Sequence, residues 1–182
     1  GERLSRVAFP MGGMGAGISS WNLARTVSRA GQLGVVSGVG LDLVLSRRLQ
    51  SGDPGGHFRR ALAGFPVPAI AERILRGHYV AAGRTRFRPM PMHSAHDSTE
   101  LLEITVAANF CEIWLAKEGH DGLVGINYLE KMQFPVLPAI YGALLAGVDV
   151  VLMGAGIPRD IPGVLDRLAL HEPVSIPLNV EG

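Results

Sequence analysis

The feature that most constrains this chain is a repeated alternation of short Val-rich apolar runs with glycine loops and amphipathic, helix-length segments. Val7-Ala8-Phe9-Pro10-Met11 stops at Gly12-Gly13-Met14-Gly15-Ala16-Gly17 and reads as strand 1 with a Gly-rich loop. Ser19 or Ser20 then offers an N-cap for a helix to about Ala30, with Leu23, Val27 and Ala30 on its buried face. Gly31 ends that helix, and residues 34–38 read as strand 2. The unit recurs near the other end: a helix over 138–146, a stop at Gly147, a strand over 148–153, and a second loop, Gly154-Ala155-Gly156. A helix over 161–170 and a short strand over 174–180 follow. Uninterrupted apolar strands separated by helices are the signature of a parallel sheet covered by helices.

The middle is less periodic. A helix over 41–50 places Leu41, Val44, Leu45 and Leu49 on one face, a turn follows at Asp53-Pro54-Gly55-Gly56, and residues 58–63 and 69–76 read as two short helices. Residues 83–99 contain Pro89 and Pro91, show no period, and read as an irregular insertion. Residues 101–107 read as strand-like. Asn109 then caps a helix over about 110–118, with Cys111, Trp114 and Leu115 at helical spacing, and residues 123–128 form a further strand. This gives about five core strands in one domain spanning 1–182.

Composition narrows the function classes. The 182 residues carry 17 Lys plus Arg against 16 Asp plus Glu, a balance that argues against a dedicated nucleic-acid binder. A mean hydropathy of +0.25 excludes intrinsic disorder. The most apolar stretch, 140–157, is interrupted by Asp149 and glycines, so no membrane span is expected. A lone Cys and an N-terminus without a long apolar run point to the cytoplasm.

The segments 11–19 and 31–38, the run Ala108-Asn109-Phe110 … Trp114-Leu115-Ala116-Lys117-Glu118-Gly119-His120 … Gly125-Ile126-Asn127-Tyr128-Leu129-Glu130-Lys131, and the block 147–158 together resemble the nitronate monooxygenase (2-nitropropane dioxygenase-like) family. The resemblance implies a (β/α)₈ TIM-barrel type fold binding FMN without a metal, here incomplete: about the first five β/α units, with the insertion near 83–99. It implies an FMN-dependent oxidoreductase that oxidises a nitronate or nitroalkane with O₂, or a related flavin enoyl reductase. A typical barrel needs roughly 250 residues. The family's catalytic His lies in an Ala-Gly-Gly-His segment of the later barrel, so it is expected downstream of this chain. The catalytic residue is therefore unknown here. A non-catalytic barrel fragment is the reading from a different class; it would self-associate through uncovered sheet edges.

Candidate flavin contacts are the strand-tip residues Gly13, Met14, Gly15, Ala16, Asn127, Gly154 and Ala155. Small residues let backbone approach a planar ring, and a carboxamide both donates and accepts at its polar edge. Each also has a plainer reading as a turn or capping residue. Lys131, and Ser37 with Gly38, carry weaker claims to the same rim. Gly55-Gly56-His57 imitates the family's catalytic motif but follows a helix and a turn. Glu118-Gly119-His120-Asp121 belongs to the opposite end of the sheet if residues 110–117 are helical. His93, His96 and Asp97 read as a solvated loop in preference to a metal site. Neither glycine loop completes a dinucleotide fingerprint, and no P-loop Gly-Lys-Ser/Thr is present.

Overall fold

The computed structural model describes residues 10, 11, 13, 15–156 and 158–178. Strands β1 (Pro10–Met11), β2 (Leu33–Ser37), β3 (Val124–Leu129) and β4 (Val150–Gly154) form one sheet in the spatial order β1-β2-β3-β4, parallel at every pairing. Strand order follows chain order with no reversal, unlike a doubly wound sheet, where the order switches direction. The helices are α1 (Trp21–Arg29), α2 (Leu41–Gln50), α3 (His57–Ala63), α4 (Pro68–His78), α5 (Thr99–Lys117), α6 (Gln133–Leu145) and α7 (Ile161–Ala169).

The two faces of the sheet differ. Val36, Val124, Ile126 and Tyr128 point one way and join a core built with α1, α2, α5 and α6. Leu33 and Val35 point the other way, where with Leu123, Val150 and Leu152 they form a separate small cluster that contains no helix residue. Among the described residues, helices thus pack on one side only. Close approach explains part of the sequence on that side. A Cβ on Gly34 would lie 1.9 Å from the Ala24 carbonyl oxygen of α1, and one on Gly142 of α6 would lie 2.0 Å from the Val106 carbonyl oxygen of α5. Backbone meets backbone at both points, so only glycine fits.

The α1 contact also turns that helix. Ala24, Val27 and Ser28 are its buried residues, whereas Leu23 is 44% exposed and Ala30 is exposed, contrary to the expected Leu23/Val27/Ala30 face. Small residues at i and i+4 are what a glycine strand beneath them requires, and Ser28 Oγ donates to the Leu123 carbonyl at 2.6 Å. Neither serine caps α1 with its side chain: Ser20 occupies the N-cap without such a bond, and Ser19 Oγ donates to the Val35 carbonyl at 2.6 Å.

The largest departure from the sequence reading lies at 99–117. The expected strand over 101–107 and helix over 110–118 are one helix, α5, capped by Ser98 Oγ, which accepts from Leu101 N–H at 3.2 Å. It is apolar on nearly every side because it is enclosed: the sheet lies on one side, with α2, α3, α4 and α6 on others. A helix buried all round loses the amphipathic period by which it would be recognised. The strand expected over 174–180 is absent from 174–178, which carry no regular structure; its last two residues lie outside the described ones. Residues 7–9 of the expected first strand also lie outside them. Four strands are described where about five were expected.

The irregular segment between α4 and α5 is tied to α2 along its length. Gln50, 1% exposed, accepts from Arg84 N–H through its backbone carbonyl at 2.8 Å and from Arg88 N–H through its side chain at 2.7 Å. Its amide donates to Ser46 Oγ at 2.8 Å, which also contacts His78 Nδ1 at 2.9 Å. The segment is therefore pinned rather than loose, although it has no secondary structure of its own.

Candidate functional site

Parallel pairing brings the C-terminal tips of the strands to one edge, and register decides which side chains are neighbours. Ser37 pairs with Asn127, and Asn127 pairs with Leu152, all on the face away from the helices. β3 extends to Leu129, so Asn127 lies two residues inside its end instead of at it; pairing of Tyr128 with Met153 and Leu129 with Gly154 prolongs the strand. Ser37 holds the glycine loop after β1. Its Oγ accepts from Gly15 N–H at 3.1 Å and donates to the Gly15 carbonyl at 2.8 Å. Asn127 Nδ2 reaches the Gly13 carbonyl at 3.5 Å. Its Oδ1 is buried and has no hydrogen-bond partner, and the residue is 8% exposed. A buried acceptor left empty in this way is uncommon and costs about 1–3 kcal/mol.

The loop geometry is glycine-dependent. Gly15 has φ 128°, and a Cβ on Gly13 would lie 2.7 Å from Ile18 Cγ2. The structure thus brings Gly13, Gly15, Ser37 and Asn127 together. Ala16 points elsewhere: it is exposed, and its Cβ stands 3.4 Å from where a Cβ on Gly40 would be, before α2. Met14 lies outside the described residues. Gly154 and Ala155 occupy the same edge of the sheet at the tip of β4. Gly154 gives its carbonyl to Glu130 N–H at 2.9 Å, and Ala155 is exposed with φ 62°, a left-handed conformation rare for alanine.

A cavity of about 630 Å³ lies beyond the tips of β2 and β3, walled by the start of α2, residues 90–93 and residues 131–135. Lys131 lines it. His93 lines it too, and here the expectation of a solvated loop is corrected. His93 and Asp97 side chains are 15% and 6% exposed and bonded to each other through Nδ1, while His93 Nε2 stands 3.4 Å from Asp42 Oδ2. Burial pushes the Asp97 carboxyl up, but hydrogen bonds from the His93 ring and Ser94 N–H outweigh it and hold the group below its usual range. His96 is exposed. The four-residue spacing of His93 and Asp97 was visible in the sequence; their partner Asp42 carried no local signal. Among the described residues, no cluster of His, Cys, Asp and Glu has a geometry that could hold a metal ion.

Two other motifs serve structure. His57 opens α3, with its ring 5.0 Å from that of Trp21. His120 sits before β3, at the opposite end of the sheet from the tips, bridging the Ala116 carbonyl at 2.6 Å and Gly122 N–H at 3.0 Å. Gly38 lies against Tyr128, whose hydroxyl donates to Asn109 Oδ1 at 2.9 Å. Among the described residues, no helix is long and apolar enough to cross a membrane. Compared with protein-family models, curated proteins and solved structures, the chain matches none.

Proposed function

We propose that this chain is the N-terminal part of a TIM-barrel flavoprotein, an FMN-dependent oxidoreductase of nitronate monooxygenase type acting on a nitronate or nitroalkane with O₂. The observation that carries the reading is the empty buried oxygen of Asn127 beside the Gly13–Gly15 loop. The imide edge of an isoalloxazine presents an N–H donor, the group this acceptor lacks. Beside it, the backbone of Gly15, held by Ser37, and of Gly13 carries no side chain of its own that would keep a planar ring at a distance. Strand order equal to chain order, with helices on one face, is also the arrangement of a (β/α) barrel whose inner face is the helix-free one.

FMN, when bound, would supply the electron transfer from the substrate carbon to O₂. The residues of this chain would bind and orient: Asn127 accepting at the ring edge, Gly13 and Gly15 admitting close approach, Ser37 fixing the loop, and Gly154 with Ala155 bordering the same edge. The proton-transferring His belongs to the part of the barrel downstream. A cytoplasmic location is part of this proposal and rests on the single cysteine.

The test is titration of FMN into the whole protein, followed by flavin absorbance and fluorescence. A saturable perturbation that Asn127→Leu removes supports the reading; an unperturbed spectrum with the wild-type protein ends it. The half-buried β4 favours the fragment as a second reading. In that case this chain alone elutes as an oligomer on size-exclusion chromatography and leaves the flavin spectrum unchanged.

A further inference from the structure

The near-neutral net charge hides an uneven distribution. Residues 47–96 carry nine arginines, with Asp53 and Glu72 as the only carboxylates in that stretch. Four of the nine form ion pairs: Arg59 with Asp53, Arg60 with Glu118, Arg73 with Glu103 and Arg76 with Glu72. Among the described residues, the other five, Arg47, Arg48, Arg84, Arg86 and Arg88, have no carboxylate at ion-pair distance. They gather in one place. Arg47 and Arg48 lie in the last turn of α2, and Gln50 fixes the segment 84–88 against that turn through the N–H groups of Arg84 and Arg88. The Arg47 guanidinium lies 4.6 Å from the centre of the Phe87 ring. Arg48, Arg86 and Arg88 are exposed. Like charges held together in this way repel one another, and an anion from outside relieves the repulsion.

An apolar surface adjoins them. Of the ten large apolar side chains exposed among the described residues, five border the cavity of about 630 Å³: Leu43, Met92, Met132, Phe134 and Leu178. Met92 protrudes furthest, at 91% exposed. Leu43 lies one turn before Arg47 on α2 and lines both this cavity and the groove beside Arg47 and Arg48, so the apolar and basic surfaces are continuous. Lys131 adds a cation to the cavity wall. Asp42, the one acid among the described residues of that wall, is 9% exposed and stands 3.4 Å from His93. Single exposed apolar side chains are ordinary, whereas a cluster of them rimmed by polar groups marks a contact surface. We propose that this face docks on an anionic lipid bilayer. The arginine forks meet headgroup phosphate and carboxylate oxygens, and Met92 with the cavity rim enters the boundary between headgroups and acyl chains. Four of the five apolar side chains are aliphatic and offer bases no stacking face, which favours lipid over a single-stranded nucleic acid. The face includes none of Gly13, Ser37 or Asn127, so this proposal and the flavin reading stand or fall separately.

The test is cosedimentation of the whole protein with phosphatidylcholine vesicles prepared with and without phosphatidylserine, alongside binding to single-stranded polyuridylate. Cosedimentation is expected only with phosphatidylserine, and it should weaken as salt rises. Arg86→Gln and Arg88→Gln should each lower vesicle affinity about fivefold. Arg29→Gln, at the far end of α1, changes the net charge equally and should leave affinity as it was. Met92→Asp should lower affinity about tenfold, whereas Met92→Leu should preserve it. These side chains are exposed, so the far-ultraviolet circular dichroism of every variant should match the wild type. Absence of cosedimentation with phosphatidylserine vesicles at low salt, whether or not the protein binds polyuridylate, overturns the proposal. So does an equal loss in Arg29→Gln, or undiminished vesicle affinity in Met92→Asp.

Discussion

The carboxylate of Glu112, in the middle of α5, accepts the backbone N–H of Trp21 at 2.7 Å, so the first turn of α1 is capped by a residue 91 positions away. This bond replaces the serine cap expected from the sequence. Glu112 is 2% exposed, and burial raises its carboxyl to about 7, against the opposing effects of the Trp21 N–H and Arg48.

That arrangement sets a pH dependence. The folded-state value lies above the unfolded one of 4.5, so the folded chain binds the proton more tightly. Its stabilising contribution is complete below pH 4.5 and is lost as pH rises through about 7. The full span is at most about 3 kcal/mol. Urea midpoints for the wild type should therefore fall between pH 5 and 8 relative to Glu112→Gln. The glutamine keeps an acceptor for Trp21 and does not titrate. Parallel curves for the two proteins would contradict this account.

Replacing Asn127 by leucine should separate stability from binding. The orphaned Oδ1 is a cost in the ligand-free fold, so Asn127→Leu should leave the urea midpoint unchanged or raise stability by about 1 kcal/mol. The same change should remove the flavin perturbation. A residue kept for structure alone would show the opposite: lower stability and intact binding.

Two glycines on helices should respond in opposite directions to alanine. A Cβ on Gly142 meets the Val106 backbone at 2.0 Å and forces α5 and α6 apart. Gly142→Ala should cost about 2–4 kcal/mol, in the range of overpacked and strained sites. Gly77, exposed on α4, has nothing within 4 Å of its would-be Cβ. Gly77→Ala should stabilise by about 0.5–1 kcal/mol through helix propensity and a less disordered unfolded chain. Thermal melts of the two variants decide both signs.

Cys111 should be chemically silent. It is fully buried on α5, and burial, with Glu112 and Asp53 nearby, pushes its thiol well above the usual value. Ellman's reagent at pH 8 should label it only as fast as the chain unfolds, and rapidly in denaturant. Immediate labelling of the native protein would show that α5 is not enclosed as described.

Several elements were legible in the sequence, because local period and glycine placement act within a few residues. The helix over 41–50 and the parallel strands near 34–37, 124–128 and 150–153 belong here; the buried face of α1 and the place of Asn127 inside β3 do not. Helix α5 was not legible as one element, since enclosure beyond its first turn left it almost no polar face. The triad of Asp42, His93 and Asp97 was half legible: the His–Asp spacing was in view, but without Asp42 it read as a solvated turn.

What the amino-acid sequence determined unaided was the alternation of β2, β3 and β4 with helices and the helix stops at Gly31 and Gly147, both consequences of short-range sterics and side-chain period. Tertiary structure alone decided which buried polar groups found partners. Glu112 meets Trp21, Gln50 secures the segment from 84 to 88, and Asn127 is left with an empty acceptor. Hydrogen bonding and desolvation act through space over a few ångströms, and residues that share such a distance here lie tens of positions apart along the chain.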